Sequence, residues 1–272
     1  MDPNTAFLAV VLLLGFAVSL LSGFLGIGGG IAMAPALLYL PASLGLGGLE
    51  MQAVTGLTIT QGLIASVTGA VSHDRHGSVD RALAAWMGGG VALSALAGSV
   101  ASRWVANGAL VAVFAVLAAL AAVLMWMPAP DAEEGERTGT RACRGLAVLG
   151  VALPVGFLCG MIGQGGSFVL IPLMIHVLGV PTRVAIGSNL AVVVCSSLAG
   201  FAGKLATGQV PLLPAAFLVM GALPGAALGS ALSIRTGPRW LRTGLAIVVG
   251  LAAVKMAADV VRHAGPWAEE VR

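Results

Sequence analysis

Apolar stretches about 20 residues long recur along this chain of 272 residues. A helix of that length is what a polypeptide needs to cross the hydrocarbon core of a bilayer, which is about 30 Å thick. Only 9% of the residues are charged, too few to cover the water-facing surface of a soluble domain, where about 25% is usual. These stretches include residues 6–25, 53–71, 82–102, 105–127, 184–203, 212–232 and 241–261. The pattern predicts an all-α polytopic membrane protein.

A hydrophilic segment at residues 128–145 divides the chain into two similar halves. Its sequence, PAPDAEEGERTGTRACRG, has the proline, glycine and mixed charges of a solvated linker. The halves superpose at an offset of 137 positions in their first region and 131 further along, where Gly56 aligns with Gly187. We predict a first transmembrane repeat at 1–127, the linker, and a second repeat at 146–272. Four apolar regions per repeat give about eight transmembrane helices, and such duplications are common in secondary transporters.

The first apolar region of each half carries a glycine cluster followed by a proline. The two clusters read GFLGIGGGIAMAP at residues 23–35 and GMIGQGGSFVLIP at residues 160–172. Each region runs to about 35 residues, and one straight helix of that length would be about 50 Å long, too long for a bilayer. We expect a break at the glycines, either as a discontinuous or re-entrant element or as two short crossings. Two crossings would make the repeats inverted rather than parallel.

These glycine breaks are candidates for a substrate site. Unwound backbone inside a bilayer is tolerated where it is buried in protein or lines a cavity, and free N–H groups at the start of a helix attract anions. The hypothesis therefore places Gly28, Gly29, Gly165 and Gly166 against the substrate. The alternative is that the glycines only let transmembrane helices approach closely.

The polar residues inside the spans are neutral, and no Asp or Glu lies among them near the repeat centres. They are Thr55, Thr58, Thr60, Gln61, Ser66 and Thr68 in the first half, and Gln164, Ser167, Ser188, Asn189, Ser196 and Ser197 in the second. Hydroxyls and amides can donate to an anion, whereas a cation site would require carboxylates. We predict that Thr58, Gln164, Ser167, Ser188 and Asn189 bind an anionic substrate. The alternative for the hydroxyls is a hydrogen bond to their own helix.

Two cationic or titratable residues, His73 and Lys204, occupy matched positions at the ends of matched spans. They are predicted to line the path of the anion or to gate it, and the alternative is interfacial snorkelling. Neither HExxH nor GxSxG occurs, and the glycine clusters complete neither a dinucleotide motif nor a P-loop. We therefore predict no catalytic residues, no metal site, no cofactor and no nucleic-acid partner.

Taken together, the paired motifs resemble the sulfite exporter TauE/SafE family, whose members are also described as sulfonate uptake permeases. The resemblance rests on the two glycine motifs, on AVTGLT and AIGSNL, and on VSHDRHGSVD and AGKLATGQVP. It covers nearly the whole chain except the linker, and it implies an inner-membrane carrier with duplicated four-helix halves. The family is associated with sulfite, sulfonates and other sulfur-containing or organic anions. Its glycine motifs fall here on Gly26, Gly28, Gly29 and Pro35, and on Gly163, Gly165, Gly166 and Pro172.

The sequence thus predicts a secondary transporter that moves a small sulfur-containing or organic anion by alternating access between two repeats. A passive anion channel is the first alternative, and a non-transporting membrane scaffold is the second. Basic residues outside the spans favour a cytoplasmic linker in a multi-pass protein of the cell inner membrane. The expected partners are the anion and the lipid bilayer; a coupling proton or ion and a homo-oligomer are left open.

Overall fold

The chain is helical throughout the part that the computed structural model describes. That part comprises residues 3–25, 30–74, 80–127, 143–164 and 166–234, with isolated helical positions between 244 and 255. It contains α1 (Pro3–Leu25), α2 (Met33–Ser43), α3 (Met51–Asp74), α4 (Arg81–Ala101), α5 (Asn107–Trp126), α6 (Cys143–Met161), α7 (Ser167–His176), α8 (Thr182–Ala206) and α9 (Leu212–Ile234). A 3-10 turn at Ser102–Trp104 follows α4.

Five of these helices are long and apolar enough to cross a membrane. Their candidate spans are Asn4–Leu25, Arg81–Trp104, Asn107–Leu124, Gly187–Ala206 and Leu212–Ser233. Two shorter apolar helices lie at Met33–Ser43 and Val148–Met161. Helix α3 has 24 residues but carries more polar side chains. The described residues therefore agree with the predicted all-α class and contain five such spans, where the sequence predicts about eight for the whole chain.

Both glycine-rich regions are interrupted as helices. Helix α1 ends at Leu25 and α2 begins at Met33, while α6 ends at Met161 and α7 begins at Ser167. Three glycines beside these interruptions have left-handed backbone: Gly30 with φ 70°, Gly163 with φ 68° and Gly166 with φ 91°. Glycine reaches that conformation without the steric cost that a Cβ atom brings. Local sequence therefore explains why the helices stop there.

The main helix pairs all join one half of the chain to the other. Helix α1 packs along α9, α4 packs along both α6 and α8, and α3 packs against α8 and α9. The approach is close because glycines meet backbone: a Cβ atom at Gly98 would overlap the carbonyl oxygen of Phe157, and one at Gly229 would overlap that of Leu20. Small residues at such crossings are what allow membrane helices to pack tightly.

These contacts come in pairs that follow the sequence offsets. Gly98 plus 131 is Gly229, and Leu20 plus 137 is Phe157, so the contact of Gly98 with Phe157 has its counterpart in that of Gly229 with Leu20. Two further pairs are related in the same way: Gly160 with Ala95 and Gly23 with Ala226, and Gly200 with Ile59 and Gly69 with Leu190. Equivalent residues of the two halves thus make equivalent contacts.

Helices α3 and α8, which occupy equivalent positions in the two halves, run in opposite directions. Ile59 in the first part of α3 meets Gly200 in the last part of α8, whereas Gly69 further along α3 meets Leu190 near the start of α8. The residue numbers of the contacting positions therefore fall along α8 as they rise along α3. The contact pattern is that of two antiparallel helices.

Replacing Gly98 by Ala should lower the stability of the protein, because the new methyl group would collide with the Phe157 backbone. Overpacking of this kind costs about 1–3 kcal/mol. Gly89 provides a matched control in the same helix, since a Cβ atom there has no neighbour within 4 Å. Gly89→Ala should leave the midpoint of thermal unfolding in detergent unchanged or raised, as expected from helix propensity. Equal midpoints for the two variants would contradict the packing described.

Candidate functional site

The two helix interruptions meet in the interior of the protein. Gln164 Nε2 donates to the carbonyl oxygen of Gly30 at 2.9 Å, a contact across 134 positions of sequence. The N–H of Gly30 donates to Gln61 Oε1 at 3.2 Å, and Gln61 Nε2 donates to Ser19 Oγ at 2.9 Å. This chain of hydrogen bonds, which we call the junction, links α1 and α3 to both interruptions.

Glycine is required where the interruptions touch. A Cβ atom at Gly30 would overlap Gln164 Oε1, and one at Gly163 would overlap the carbonyl oxygen of Thr55. Both residues also have positive φ, which a residue with a side chain rarely adopts. At these two positions the glycines do more than pack straight helices, because the close approach places the buried Gln164 amide beside non-helical backbone.

Two buried amide side chains are left with open hydrogen-bonding capacity. Gln164 is 1% exposed and Asn189 is fully buried. Among the described residues, Gln164 Oε1 has no hydrogen-bond partner, and neither Nδ2 nor Oδ1 of Asn189 has one. A buried polar atom without a partner costs about 1–3 kcal/mol, so such atoms usually mark a bound ligand, an ordered water or a functional role. Gln164 and Asn189 are the predicted site residues with the most open polar capacity.

The hydroxyls of Thr58 and Ser188 are engaged in structural hydrogen bonds. Thr58 Oγ1 donates to the carbonyl oxygen of Val54 in its own helix at 2.6 Å. Ser188 Oγ accepts from the N–H of Asp80 at 2.9 Å and so ties the start of α8 to the start of α4. The Thr58 hydrogen is therefore already used within α3, whereas the Ser188 hydroxyl retains a hydrogen of its own.

Lys204 lies in a separate buried cluster. Its side chain is fully buried, and Nζ donates to Ser102 Oγ at 2.8 Å and to Gln209 Oε1 at 3.0 Å. Gln209 Nε2 donates in turn to the carbonyl oxygen of Ser99 at 3.2 Å and to Thr207 Oγ1 at 2.7 Å. This Lys204 cluster joins the end of α4, the end of α8 and the connection to α9. Within the described residues the lysine does not snorkel to the surface.

The remaining predicted site residues are described only in part or not at all. Gly28, Gly29 and Gly165 lie outside the described residues. Gly166 is the N-cap of α7, and its carbonyl oxygen accepts from the N–H of Leu170 at 2.9 Å. The side chains of Ser167 and His73 are likewise outside the described part of the chain.

Several residues of these clusters were not among the predicted site residues. Gln61 is one of the polar residues inside the spans. Glutamine is rare in an apolar helix, and that rarity could have distinguished Gln61 in the sequence. Gly30, Ser102 and Gln209 carry no comparable local signal, since their role depends on partners more than 100 positions away. Sequence patterns of single helices do not contain that information.

Comparison with known proteins gives a consistent result. The family model described as "Sulfite exporter TauE/SafE" matches residues 11–256. The chain is 26% identical over 243 residues to the "Probable membrane transporter protein YunE" of Bacillus subtilis, which covers 82% of this chain and 88% of the relative. It is 28% identical over 229 residues to a "Probable membrane transporter protein" of Xylella fastidiosa, covering 82% of each. No solved structure matches the chain.

Proposed function

The chain belongs to the sulfite exporter TauE/SafE family, and on that premise we propose that it is a secondary transporter of a small sulfur-containing or organic anion. The relatives named as probable membrane transporters and the candidate spans make it a multi-pass membrane protein of transporter type. The substrate class and the transport cycle are what we propose beyond this.

The observation that carries the proposal is the Gln164 amide at the meeting point of the two interruptions, because its Nε2 atom has a second hydrogen beyond the one that it donates to Gly30. A buried Gln164 contacts Gly30, and among the described residues no carboxylate takes part in the hydrogen bonds of the junction. Neutral donors suit an anion, since they supply N–H and O–H groups without adding negative charge. We place the substrate at this junction, with Asn189 as a further contact of the same kind.

The unwound backbone would contribute to the same site. In this proposal the N–H groups around Gly28, Gly29, Gly165 and Gly166 face the anion, at the positive end of the helix that follows each interruption. Ser167 stands at the start of α7 and would add a hydroxyl. Ser188 would donate its remaining hydrogen, whereas Thr58 would line the site by shape, because its own hydrogen is used within α3.

Alternating access is supported by the paired contacts of the two halves. Equivalent residues make equivalent contacts, and the equivalent helices α3 and α8 are antiparallel, which is the relation expected of inverted repeats. In such proteins one repeat rocks against the other around a site at the repeat interface. We propose this mechanism here, with repeats at 1–127 and 146–272 and the linker at 128–145 in the cytoplasm of an inner-membrane protein.

Sulfite counterflow in proteoliposomes tests the proposal and separates a carrier from a channel. Purified protein should take up labelled sulfite several-fold faster into liposomes preloaded with unlabelled sulfite than into empty ones. The internal sulfite binds the carrier and lets it return to the outer face in its loaded form, which speeds the next uptake. A channel would conduct without this trans-stimulation, and a scaffold would give no protein-dependent flux. Methanesulfonate and acetate in the same assay would show whether the anion needs sulfur. Uptake that is equal with and without preloaded sulfite would contradict a carrier.

A further inference from the structure

Lys204 is a buried cation whose recorded partners are all neutral. Nζ has three donor hydrogens and two acceptors, Ser102 Oγ and Gln209 Oε1. Of the two carboxylates whose side chains the structure describes, Glu50 is exposed and Asp80 caps the start of α4. Neither forms an ion pair with Lys204 within the described residues. A charge removed from water needs compensation, and neutral acceptors provide only part of it.

The Lys204 cluster lies close to the junction. Two successive residues of α3 make the connection: Gly163 packs against the carbonyl oxygen of Thr55, and Gly56 packs against that of Gln209. Consecutive Cα atoms are about 3.8 Å apart. Gln209 is the acceptor of Lys204, and Gly163 precedes Gln164. The Lys204 cluster and the segment that carries Gln164 therefore contact successive residues of α3.

The Lys204 cluster joins the two halves, because Ser102 lies in the first half and Lys204 and Gln209 lie in the second. The position equivalent to Ser102 is Ser233, at the offset of 131. Both serines are buried, but Ser102 accepts from Lys204 whereas Ser233 Oγ has no hydrogen-bond partner among the described residues. The position equivalent to Lys204 is His73, whose side chain lies outside the described residues. Among the described residues, the contact of a cationic side chain with this serine is therefore made at Ser102 and not at Ser233.

We propose that Lys204 is an anion-binding gate, in which a small singly charged oxyanion replaces Ser102 and Gln209 as the partner of Nζ. The inference rests on the proposed function and adds the group that recognises charge. When Ser102 and Gln209 hold the ammonium, they connect the ends of α4 and α8 beside α3, and this is the closed state of the proposed gate. The anion supplies the missing negative charge, and the exchange of partners releases the tie. The competing view is that the lysine only caps the negative ends of α4 and α8.

Anion binding to the purified full-length protein in nanodiscs distinguishes the two views. We would measure the affinity for sulfite, methanesulfonate and acetate, with uncharged methanesulfonamide as the control for shape. Lys204→Met should weaken binding of every anion by at least about tenfold, in line with loss of a charged hydrogen bond. Ser102→Ala should tighten binding several-fold, because it removes an acceptor that competes with the anion. Ser233→Ala, the matched variant in the other half, should change the affinity less than twofold.

The outcomes are separable. A gain of affinity in Ser102→Ala cannot come from misfolding, so it supports the gate even if Lys204→Met is unstable. Wild-type binding by Lys204→Met, or a loss in Ser102→Ala equal to that in Lys204→Met, overturns the gate in favour of a helix cap. Anion binding by the wild-type protein without sulfite counterflow would contradict the carrier but not the gate. Counterflow that survives Lys204→Met would contradict the gate but not the carrier. If no anion in the panel binds the wild-type protein, the gate is wrong.

Discussion

Gln164→Leu is expected to lower the counterflow of the transported anion by about 100-fold. The substitution introduces an apolar side chain of similar size and removes Nε2, which donates one hydrogen to Gly30 and has a second one for the anion. The carbonyl oxygen of Gly30 then loses its described side-chain donor, and the anion loses a neutral donor. A factor of 100 corresponds to about 2.7 kcal/mol, within the range for hydrogen bonds that involve a charged group.

Gln52→Leu is the matched control for this experiment. Gln52 Nε2 also donates to backbone carbonyl oxygens, those of Arg103 at 3.4 Å and Val105 at 3.3 Å, but at the connection before α5. It therefore reports the effect of losing a glutamine contact away from the junction. Both variants should be compared in proteoliposomes at equal reconstituted protein. Counterflow in Gln164→Leu equal to that in Gln52→Leu would remove the junction from the proposed site.

Asn189→Leu should make the protein more stable and inactive. Neither polar atom of the buried Asn189 amide has a hydrogen-bond partner among the described residues, so removing them relieves an unpaired desolvation cost of about 1–3 kcal/mol. The same removal deletes a donor from the proposed anion contacts. Opposite signs for stability and transport are expected at a functional residue, whereas a structural residue would lose both together.

Asn107→Leu gives the contrast that this prediction needs. Asn107 Oδ1 accepts from the N–H of Gln52 at 3.2 Å, so the same substitution there breaks a hydrogen bond. The midpoint of thermal unfolding should rise for Asn189→Leu and fall for Asn107→Leu in the same detergent. Sulfite counterflow should be lost only in Asn189→Leu. A lowered midpoint for Asn189→Leu would show that its amide is satisfied in the folded protein.

The sequence singles out candidate site residues where they differ in kind from their surroundings, and whether they bind the substrate stays a prediction. Gln164 could be predicted because an amide inside a glycine-rich interruption is unusual, and Asn189 because an amide in an apolar helix is costly unless it has a role. Thr58 was chosen by the same reasoning, yet its hydroxyl donates within α3. A pattern of residue types cannot tell whether a hydroxyl bonds to its own helix, since both outcomes use the same residue at the same spacing.

The helical class of the protein and the interruption of its helices followed from the sequence by itself. Crossing a bilayer depends on the length and hydrophobicity of each segment, and a helix stops where consecutive glycines disfavour it; both are local properties. The partners of Gln164 and Lys204 were decided only by the tertiary structure. Their contacts join residues 134 and 102 positions apart, and whether a buried polar atom is satisfied or open depends on what the rest of the fold brings to it.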